Sequence, residues 1–239
     1  REHDLSRVFR QVHRVLRPGA RFLVALDART GRELWRTDTL IERGSRAYTI
    51  TGPPQVAKNV VVIGNSGAEF GVRGYVTAYE LDSGSQVWRF FTVPEPGQFG
   101  ADTWKNNAWI TGGAGVWSTP AFDPQTNVMI HGTGDIFPSY DPEFRPGDNL
   151  FGASTIALDV DTGKLKWYHQ TAPDEGLDLD EVYEKILVDN GSQKLLLSAG
   201  KPGILWKYDR VTGKFLDYVP MVFQNVFTRI DRKTGRATY

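Results

Sequence analysis

The amino-acid sequence predicts an all-β fold of the β-propeller type, and three observations support this prediction. One hairpin pattern recurs along the chain, several of its copies end in Trp, and long polar insertions separate them. Aromatic residues make up 12% of the chain, with seven Trp among them, which suits a β-sheet core. A sheet of this kind buries both faces only against neighbours, so recurring hairpins predict a stack of similar units.

The recurring unit is an apolar strand, an acidic residue, two further residues, Thr or Ser, Gly and a second strand. Gly after Thr or Ser suits the positive-φ position of a tight turn. The Trp at the end of the second strand is expected to pack on a neighbouring unit. The copies occupy residues 25–35, 78–88, 157–167, 207–217 and 229–239. Unrelated hairpins in a β-sandwich are the alternative.

Residues 1–21 differ from the rest of the chain and predict a short N-terminal helix. Apolar residues recur there at helical spacing, and Pro18-Gly19 would end the helix. We expect this helical segment to lie at the edge of the propeller, which would occupy residues 22–239.

Composition excludes several classes of function. Formal net charge is zero, from 28 basic and 28 acidic residues, which argues against nucleic acid or an anionic membrane as the main partner. The chain has no Cys, which excludes disulfides, zinc–thiolate sites and thiol catalysis within it. No apolar run approaches the roughly 18 residues of a membrane-spanning helix.

A glycine-rich stretch, residues 64–74, is the first candidate for ligand binding. It lies between two predicted strands, and its glycines would let backbone amides approach a ligand closely. Its carboxylate, Glu69, is a possible ligand for a hard cation. The alternative is a glycine-rich hairpin in which Glu69 is solvated. Long polar insertions at residues 94–114 and 136–149 are expected at one end of the propeller, where ligands bind.

Residues 22–239 resemble the pyrroloquinoline quinone (PQQ)-dependent alcohol dehydrogenases of the methanol and ethanol type. The motifs that carry the resemblance follow in the family's order: TGPP (51–54), SGAEFGVRGYVTAY (66–79), GVWSTPAFDP (115–124), GTGD (132–135), RPGDN (145–149) and ALDVDTGKLKW (157–167). Members of this family are eight-bladed, so the resemblance implies roughly four blades of a larger ring. We expect this part of a ring alone not to oxidise alcohols, because it lacks the opposite wall of the site.

The resemblance implies an activity and its partners. Alcohols or sugars would be oxidised to aldehydes or ketones by hydride transfer to metal-bound PQQ. Electrons would pass to a cytochrome c or a membrane quinone, and the location would be periplasmic. The competing function is a non-catalytic propeller scaffold of the outer-membrane assembly type.

The resemblance also implies how PQQ would be held. Thr51 and Ser66, with the backbone of Gly67 and Ala68, would bind a PQQ carboxylate. Trp117 would lie flat under the PQQ ring; the alternative is that it is an ordinary core residue.

Acidic residues would hold the metal, which is calcium or a lanthanide. The implied ligands are Glu69, Asp135 where the family usually has Asn, Asp178 and Asp180. Asp178 matches the catalytic base, and Lys201 stands where many members have an Arg that contacts the quinone oxygens. Four carboxylates favour a trivalent lanthanide over calcium by their charge.

Each of these assignments has a structural alternative. Asp135 could be a turn residue and Lys201 a surface lysine. Asp178 and Asp180 lie in an acidic run, and such runs are more often solvated. The family's Trp before the catalytic Asp is absent here, and an apparent insertion nearby leaves the choice between Asp178 and Asp180 open.

Overall fold

The computed structural model describes residues 12–13, 22–41 and 46–239. Its strands, in chain order, are β1 (Val12–His13), β2 (Phe22–Leu26), β3 (Glu33–Asp38), β4 (Gln55–Ala57), β5 (Val60–Gly64), β6 (Tyr75–Glu80), β7 (Gln86–Phe91), β8 (Ala121–Asp123), β9 (Val128–Gly132), β10 (Ser154–Asp159), β11 (Leu165–Gln170), β12 (Lys185–Asn190), β13 (Gln193–Ala199), β14 (Ile204–Asp209), β15 (Phe215–Pro220), β16 (Arg229–Ile230) and β17 (Ala237–Thr238). Short 3-10 helices lie at Ala68–Phe70, Ala101–Thr103, Ala108–Thr111 and Pro142–Phe144.

The strands form separate antiparallel meanders, which we call blades 1 to 5 in chain order. Blade 1 contains β1–β3, blades 2, 3 and 4 contain β4–β7, β8–β11 and β12–β15, and blade 5 contains β16 and β17. In every blade, strands that follow one another in sequence are hydrogen-bonded neighbours. This succession of four-stranded meanders confirms the predicted all-β propeller architecture.

The recurring sequence pattern forms one kind of hairpin turn. In the β2–β3 turn, Asp27 Oδ1 accepts hydrogen bonds from the backbone N–H groups of Arg29 and Thr30 and from the Thr30 hydroxyl. Gly31 then turns the chain with φ of 70°. The same Asp–Thr pairing is made in later copies by Asp159 with Thr162, Asp209 with Thr212 and Asp231 with Thr234. The turn is therefore satisfied within five consecutive residues, which is why a short sequence pattern predicts it.

The Trp residues of the pattern join each blade to the next. The indole Nε1 of Trp35 donates to Leu81 O at 2.9 Å, and that of Trp88 donates to Val160 O at 2.8 Å. Trp167 does the same to Arg210 O at 3.2 Å. Each ring covers the turn glycine of the following blade, where an added Cβ would lie 2.5 Å from a ring atom: Gly84, Gly163 and Gly213. The predicted packing of Trp on a neighbouring unit is confirmed.

The hydrophobic core lies between the blades. One cluster joins blades 1 and 2 around Tyr79, a second joins blades 2 and 3 around Met129, and a third joins blades 3 and 4 around Trp206. In the part of the chain that the structure describes, no helix is long and apolar enough to cross a membrane.

The helix predicted over residues 1–21 falls largely outside the described residues. The exception is β1, where Val12 and His13 are extended and pair with Ala25 and Val24 of β2. The helical prediction is wrong at these two positions. Pairing there satisfies backbone groups along an edge of β2 that would otherwise lack partners.

Candidate functional site

Three motifs that are far apart in sequence run side by side at one end of the blades. They are the glycine-rich loop (64–74), residues 113–117 and residues 132–137. Backbone hydrogen bonds join them: Val116 N to Asn65 O, Gly74 N to Gly113 O, Gly134 N to Gly115 O and Ala114 N to Asp135 O, at 2.7 to 2.8 Å. Three of the motifs that carry the resemblance therefore lie together at this end.

Glycines permit this close approach. A Cβ at Gly64 would lie 2.2 Å from Val116 O, and a Cβ at Gly74 would lie 2.2 Å from Ala114 O. Neither position accepts a side chain unless the neighbouring backbone moves, so the glycines are required for the loops to pack.

Glu69 lies at the rim of this surface. It sits in the 3-10 helix Ala68–Phe70, which is flanked by Gly67 and Gly71 in the left-handed conformation. Ala68 is buried and Glu69 is exposed. A Cβ at Gly71 would lie 3.1 Å from the ring of Phe137, so this turn packs beside the segment that carries Asp135.

A pair of hydroxyls lies next to Trp117. Thr51 Oγ1 and Ser66 Oγ are hydrogen-bonded to each other, and Ser66 N donates to Thr49 O at 2.8 Å. A Cβ at Gly52 would lie 2.6 Å from Trp117 O, so the chain that carries Thr51 touches the backbone of Trp117.

The indole of Trp117 lies beside the acidic residues. It is half-buried and packs edge-on against Tyr183, with ring centroids 6.1 Å apart and planes at 80°. A Cβ at Gly134 would lie 3.3 Å from Trp117 Nε1 and 2.9 Å from Asp180 Oδ1. The aromatic ring and the Asp180 carboxylate are therefore separated by little more than one glycine.

Asp135, Asp178 and Asp180 form an acidic group in which one carboxylate oxygen of each lies within 4.8 Å of the others. Asp135 and Asp180 are buried, with exposures of 3% and 4%. The Asp135 N–H donates to Asp180 Oδ1 at 2.8 Å, and the Ser139 hydroxyl donates to Asp135 Oδ2. Asp178 has φ of 59° and a partly exposed side chain. Glu69 is not a member of this group.

Lys201 supplies the positive charge of the acidic group. Its Nζ lies 2.7 Å from Asp178 Oδ1 and 2.6 Å from Asp180 Oδ2. Its backbone N–H also donates to Asp180 O at 3.0 Å. Gly200 makes this approach possible, because a Cβ there would lie 2.7 Å from Asp180 O.

Burial governs the protonation of this group. It raises the pKa of Asp135 to about 7; the hydrogen bond from Ser139 opposes the rise, and the charges of neighbouring carboxylates add to it. Burial also raises the pKa of Asp180, even though its contacts with Lys201 act in the opposite direction. Burial alone would lower the pKa of Lys201, but hydrogen bonds to Asp178 and Asp180 outweigh it and raise this pKa above its usual value. In the metal-free protein these carboxyl groups therefore tend to keep protons, which a bound cation would displace.

The donor set fits the groups that the resemblance implies. Carboxylate oxygens are the ligands that hard cations such as calcium and lanthanides require, and the acidic group offers three carboxyl groups close together. The Thr51–Ser66 hydroxyl pair can donate to an anionic group, and the half-buried Trp117 offers an apolar face to a planar ring.

The acidic run at residues 174–181 is not the solvated surface that its composition favours. Glu175, Asp180 and Glu181 are buried. Glu175 Oε2 accepts hydrogen bonds from Leu177 N and Leu179 N, at 3.1 and 3.0 Å, and so holds the turn around Asp178. The alternative that this acidic run is exposed to solvent is therefore wrong for most of its acidic residues.

Several residues at the site had no sequence signal that singled them out. Ser139, Glu175 and Tyr183 each contact a site residue or the turn that carries one. Arg145 is fully buried, and its guanidinium donates to Glu175 O and to Asn149 Oδ1. Arg145 and Asn149 lie in the RPGDN motif, which is the one signal that pointed towards them.

Comparison with known proteins identifies similar chains. The family model described as the PQQ-type glucose/ethanol/alcohol dehydrogenase β-propeller domain matches residues 40–226. The chain is 40% identical over 232 residues to the quinohemoprotein alcohol dehydrogenase ADH-IIG of Pseudomonas putida, covering 90% of this chain and 32% of that protein. It therefore spans about a third of the length of the curated relatives that it matches.

Solved structures give the same result. The structure of ADHIIG from Pseudomonas putida superposes with a TM-score of 0.86 at 40% identity, over 92% of this chain and 34% of the other. A europium-containing methanol dehydrogenase superposes with a TM-score of 0.84 at 32% identity, over 91% of this chain and 41% of the other. BamB from Moraxella catarrhalis has a TM-score of 0.52 at 20% identity, over 92% of this chain and 57% of the other, a likeness of fold alone.

Proposed function

This chain belongs to the family of PQQ-type glucose, ethanol and alcohol dehydrogenase β-propellers, and we propose that it forms the PQQ- and metal-binding wall of an enzyme that oxidises alcohols or sugars. One observation carries the proposal. Three carboxylates and a lysine, from segments up to 66 residues apart (135 to 201), meet beside Trp117 at one end of the blades.

When bound, PQQ would accept the hydride from the substrate carbon, and the metal would polarise the quinone as a Lewis acid. The chain's own residues would hold and orient these groups. Thr51 and Ser66 would donate hydrogen bonds to a carboxylate of the cofactor, with the backbone of Gly67 and Ala68 beside them. Trp117 would support the planar ring through its face.

The metal would be held by Asp135, Asp178 and Asp180. Glu69, at the rim of the glycine-rich loop, would join them as a further ligand. Asp180 suits a purely ligating role, because it is buried and both of its oxygens already contact polar hydrogens.

Asp178 is the better candidate for the general base. Its side chain is 36% exposed, so an incoming hydroxyl can reach it, and it would take the proton of the alcohol. Lys201 would donate hydrogen bonds to the quinone oxygens and stabilise negative charge that develops there. As an ammonium, it acts through a compact charge where an Arg would present a fork.

We propose that a lanthanide is preferred over calcium. Asp135 adds a carboxyl group where the family usually has Asn, and the three carboxyl groups outnumber the single ammonium of Lys201 once a cation displaces their protons. A trivalent ion gains more than a divalent ion from each added negative ligand. A europium-containing methanol dehydrogenase is among the similar structures, in line with this preference.

The electron acceptor would be a cytochrome c or a quinone, because relatives of this chain are named for either one. A periplasmic location would follow from the family. A scaffold function is less favoured, because it gives no role to buried carboxylates that face one another.

The decisive experiment is PQQ binding, followed by quinone absorbance, in the longest natural chain that includes these residues. We expect metal-dependent binding that is lost in Trp117→Ala and in Asp180→Asn. Asp161→Asn is the matched control, because that carboxylate is exposed and lies in a hairpin turn. Binding that persists unchanged in Asp180→Asn would overturn the proposed site.

Metal preference is tested by loading the same protein with calcium or lanthanum. We expect tighter binding and higher activity with lanthanum, and Asp135→Asn should shift the preference towards calcium by removing one charge. Equal or better activity with calcium in the unchanged protein would contradict the lanthanide proposal.

The 239-residue chain alone should reduce no dye with PQQ, metal and an alcohol present.

A further inference from the structure

We propose that Lys185 is a positioning residue whose buried ammonium holds together the segments that carry Asp178, Asp180, Lys201 and the support of Trp117. The inference rests on the proposed function, because it assigns to Lys185 the task of keeping that site in its metal-binding geometry. Lys185 itself contacts none of the candidate ligands.

The ammonium lies at the centre of a tight loop. Lys185 is the first residue of β12, and its side chain has no exposed surface. Its Nζ donates to Glu181 O at 2.6 Å, to Tyr183 O at 3.0 Å and to Ser198 Oγ at 2.8 Å. The backbone of residues 181–185 therefore forms a tight turn whose carbonyl groups accept hydrogen bonds from the Lys185 ammonium.

Glu181 completes this arrangement and connects it to the acidic group. Its Oε1 lies 3.3 Å from Lys185 Nζ and also accepts a hydrogen bond from the Ser198 hydroxyl. Glu181 follows Asp180 directly in the chain, and its N–H donates to Thr133 O at 3.1 Å, two residues before Asp135. A shift of the loop would therefore move Asp180 relative to Asp135.

The other two contacts reach the remaining parts of the site. Ser198 lies near the end of β13, three residues before Lys201, so its bond to Lys185 fixes the strand end from which Lys201 extends. Tyr183, whose carbonyl accepts from Lys185, packs its ring on Trp117 at 6.1 Å. One ammonium thus joins the carboxylate segment, the lysine segment and the aromatic support.

Burying the Lys185–Glu181 ion pair costs desolvation free energy, which favours a specific role for it. A buried ion pair is often no more stabilising than apolar residues of the same volume, and in some proteins such a pair instead fixes one geometry, which is the role inferred here for Lys185. Glu181 Oε2 is buried with no hydrogen-bond partner among the described residues. That atom lies over Gly200, where a Cβ would approach it to 2.3 Å, so the pair is enclosed by the chain that leads to Lys201.

The test replaces the ion pair by a neutral pair, Lys185→Met with Glu181→Gln, so that no uncompensated charge is left buried. The host is the longest natural chain that includes these residues. Lys194→Met is the matched control, because Lys194 forms an ion pair with Asp189 in the same blade at the protein surface. The probe is terbium(III), whose emission sensitised by nearby aromatic rings reports metal binding without any turnover.

We expect the neutral pair to unfold cooperatively like the unchanged protein, with terbium affinity lowered at least tenfold. The kcat of the PQQ-loaded enzyme should fall at least tenfold while the KM for alcohol changes less than twofold. Lys194→Met should alter none of these. A merely structural role predicts a lower Tm with unchanged terbium affinity and kcat, and that result would overturn the inference.

A milder variant covers the case in which the neutral pair fails to fold. Ser198→Ala removes one of the contacts of Lys185 and should lower terbium affinity about threefold; unchanged affinity there also overturns the inference. The unchanged protein separates the two hypotheses. If it binds neither PQQ nor terbium, the proposed function fails; if it binds both and the variants match it, only the role of Lys185 fails.

Discussion

The hairpin turns lie at one end of the blades and the candidate site at the other, and polar groups at the two ends find their hydrogen-bond partners in different ways. At the hairpin end, Asp159 is satisfied by the backbone and hydroxyl of Thr162, three residues away, and lies at the surface. At the site end, Asp135 and Ile136 donate backbone hydrogen bonds to Asp180 and Glu175, across 45 and 39 residues of chain. The first solution is local and repeated in successive blades, whereas the second joins segments that are far apart in sequence.

The difference also appears in charge. At the hairpin end, the ion pair of Lys58 and Asp161 is exposed and water screens it, while one other pair there, Arg210 with Asp123, is buried. At the site end, Asp135, Asp180 and Lys185 are buried and depend on protein partners. The site end therefore gathers several charges whose burial opposes folding unless protein partners compensate it.

The largest effect should come from breaking the hairpin end at a turn glycine. Gly163 has φ of 69°, and a Cβ there would lie 2.5 Å from the ring of Trp88. Gly163→Ala should lower the free energy of unfolding by about 4 kcal/mol, from the left-handed conformation and the clash together. Urea unfolding measures it.

Gly31→Ala is the matched control for that change. Gly31 has φ of 70° in the equivalent turn, but a Cβ there would meet no described atom within 4 Å. It should lose only about 1 kcal/mol, from backbone conformation alone. Equal losses at both positions would show that docking of Trp on the next turn contributes nothing.

At the site end, Asp135→Asn should stabilise the metal-free protein. Burial raises the folded pKa of Asp135 to about 7, above its unfolded value, so the folded state keeps a proton that the unfolded chain loses. Stability should therefore fall as the pH rises from about 4 to about 7, and the variant should be more stable by about 3 kcal/mol at pH 8. Unfolding with a chelator present measures this, and a pH-independent difference between the two proteins would contradict it.

His131 gives the opposite pH dependence. Burial, with a contribution from the Lys185 charge, lowers its folded pKa to about 3, and neither ring nitrogen has a hydrogen-bond partner among the described residues. Below about pH 6.5 His131 becomes protonated in the unfolded chain but stays neutral in the folded state, so stability falls as the pH falls towards 3. Lowering the pH from 7 to 4.5 should therefore destabilise the unchanged protein by about 2.5 kcal/mol more than it destabilises His131→Met. Parallel pH profiles would argue against the pKa shift.

The smallest effect should come from the exposed ion pair of the hairpin end. Lys58 Nζ lies 2.6 Å from Asp161 Oδ1, with both side chains about half exposed. Lys58→Met should change the free energy of unfolding by less than about 0.5 kcal/mol, and added salt should remove the difference. If the free energy of unfolding fell by several kcal/mol, exposed and buried ion pairs would contribute equally to stability. That result would contradict the contrast between the two ends.

Prediction from the sequence succeeded where residues act on near neighbours. The Thr-Gly turns and the stacking role of Trp35, Trp88 and Trp167 were all readable, because each depends on a short pattern that recurs. The propeller architecture follows from that recurrence. At the site, the resemblance supplied Asp135, Asp178, Asp180 and Lys201 as a set, and the structure brings them together.

No sequence pattern predicted the other residues of the site. Glu175 and Lys185 belong to no functional motif, yet Glu175 accepts a hydrogen bond from the backbone of Ile136, and Lys185 donates one to the Ser198 hydroxyl. The acidic run appeared solvated because sequence reports charge and spacing, but not which loops fold over it.

The chain's repeats dictate the blades, the turns and the order of the strands, because those features arise from hydrogen bonds and packing between residues close in sequence or in adjacent repeats. Which carboxylates are buried, which lysine pairs with them and which protons they hold arise only in the folded molecule. Burial and Coulomb interactions depend on distances between segments that are far apart in sequence, and those distances exist only once the blades have stacked.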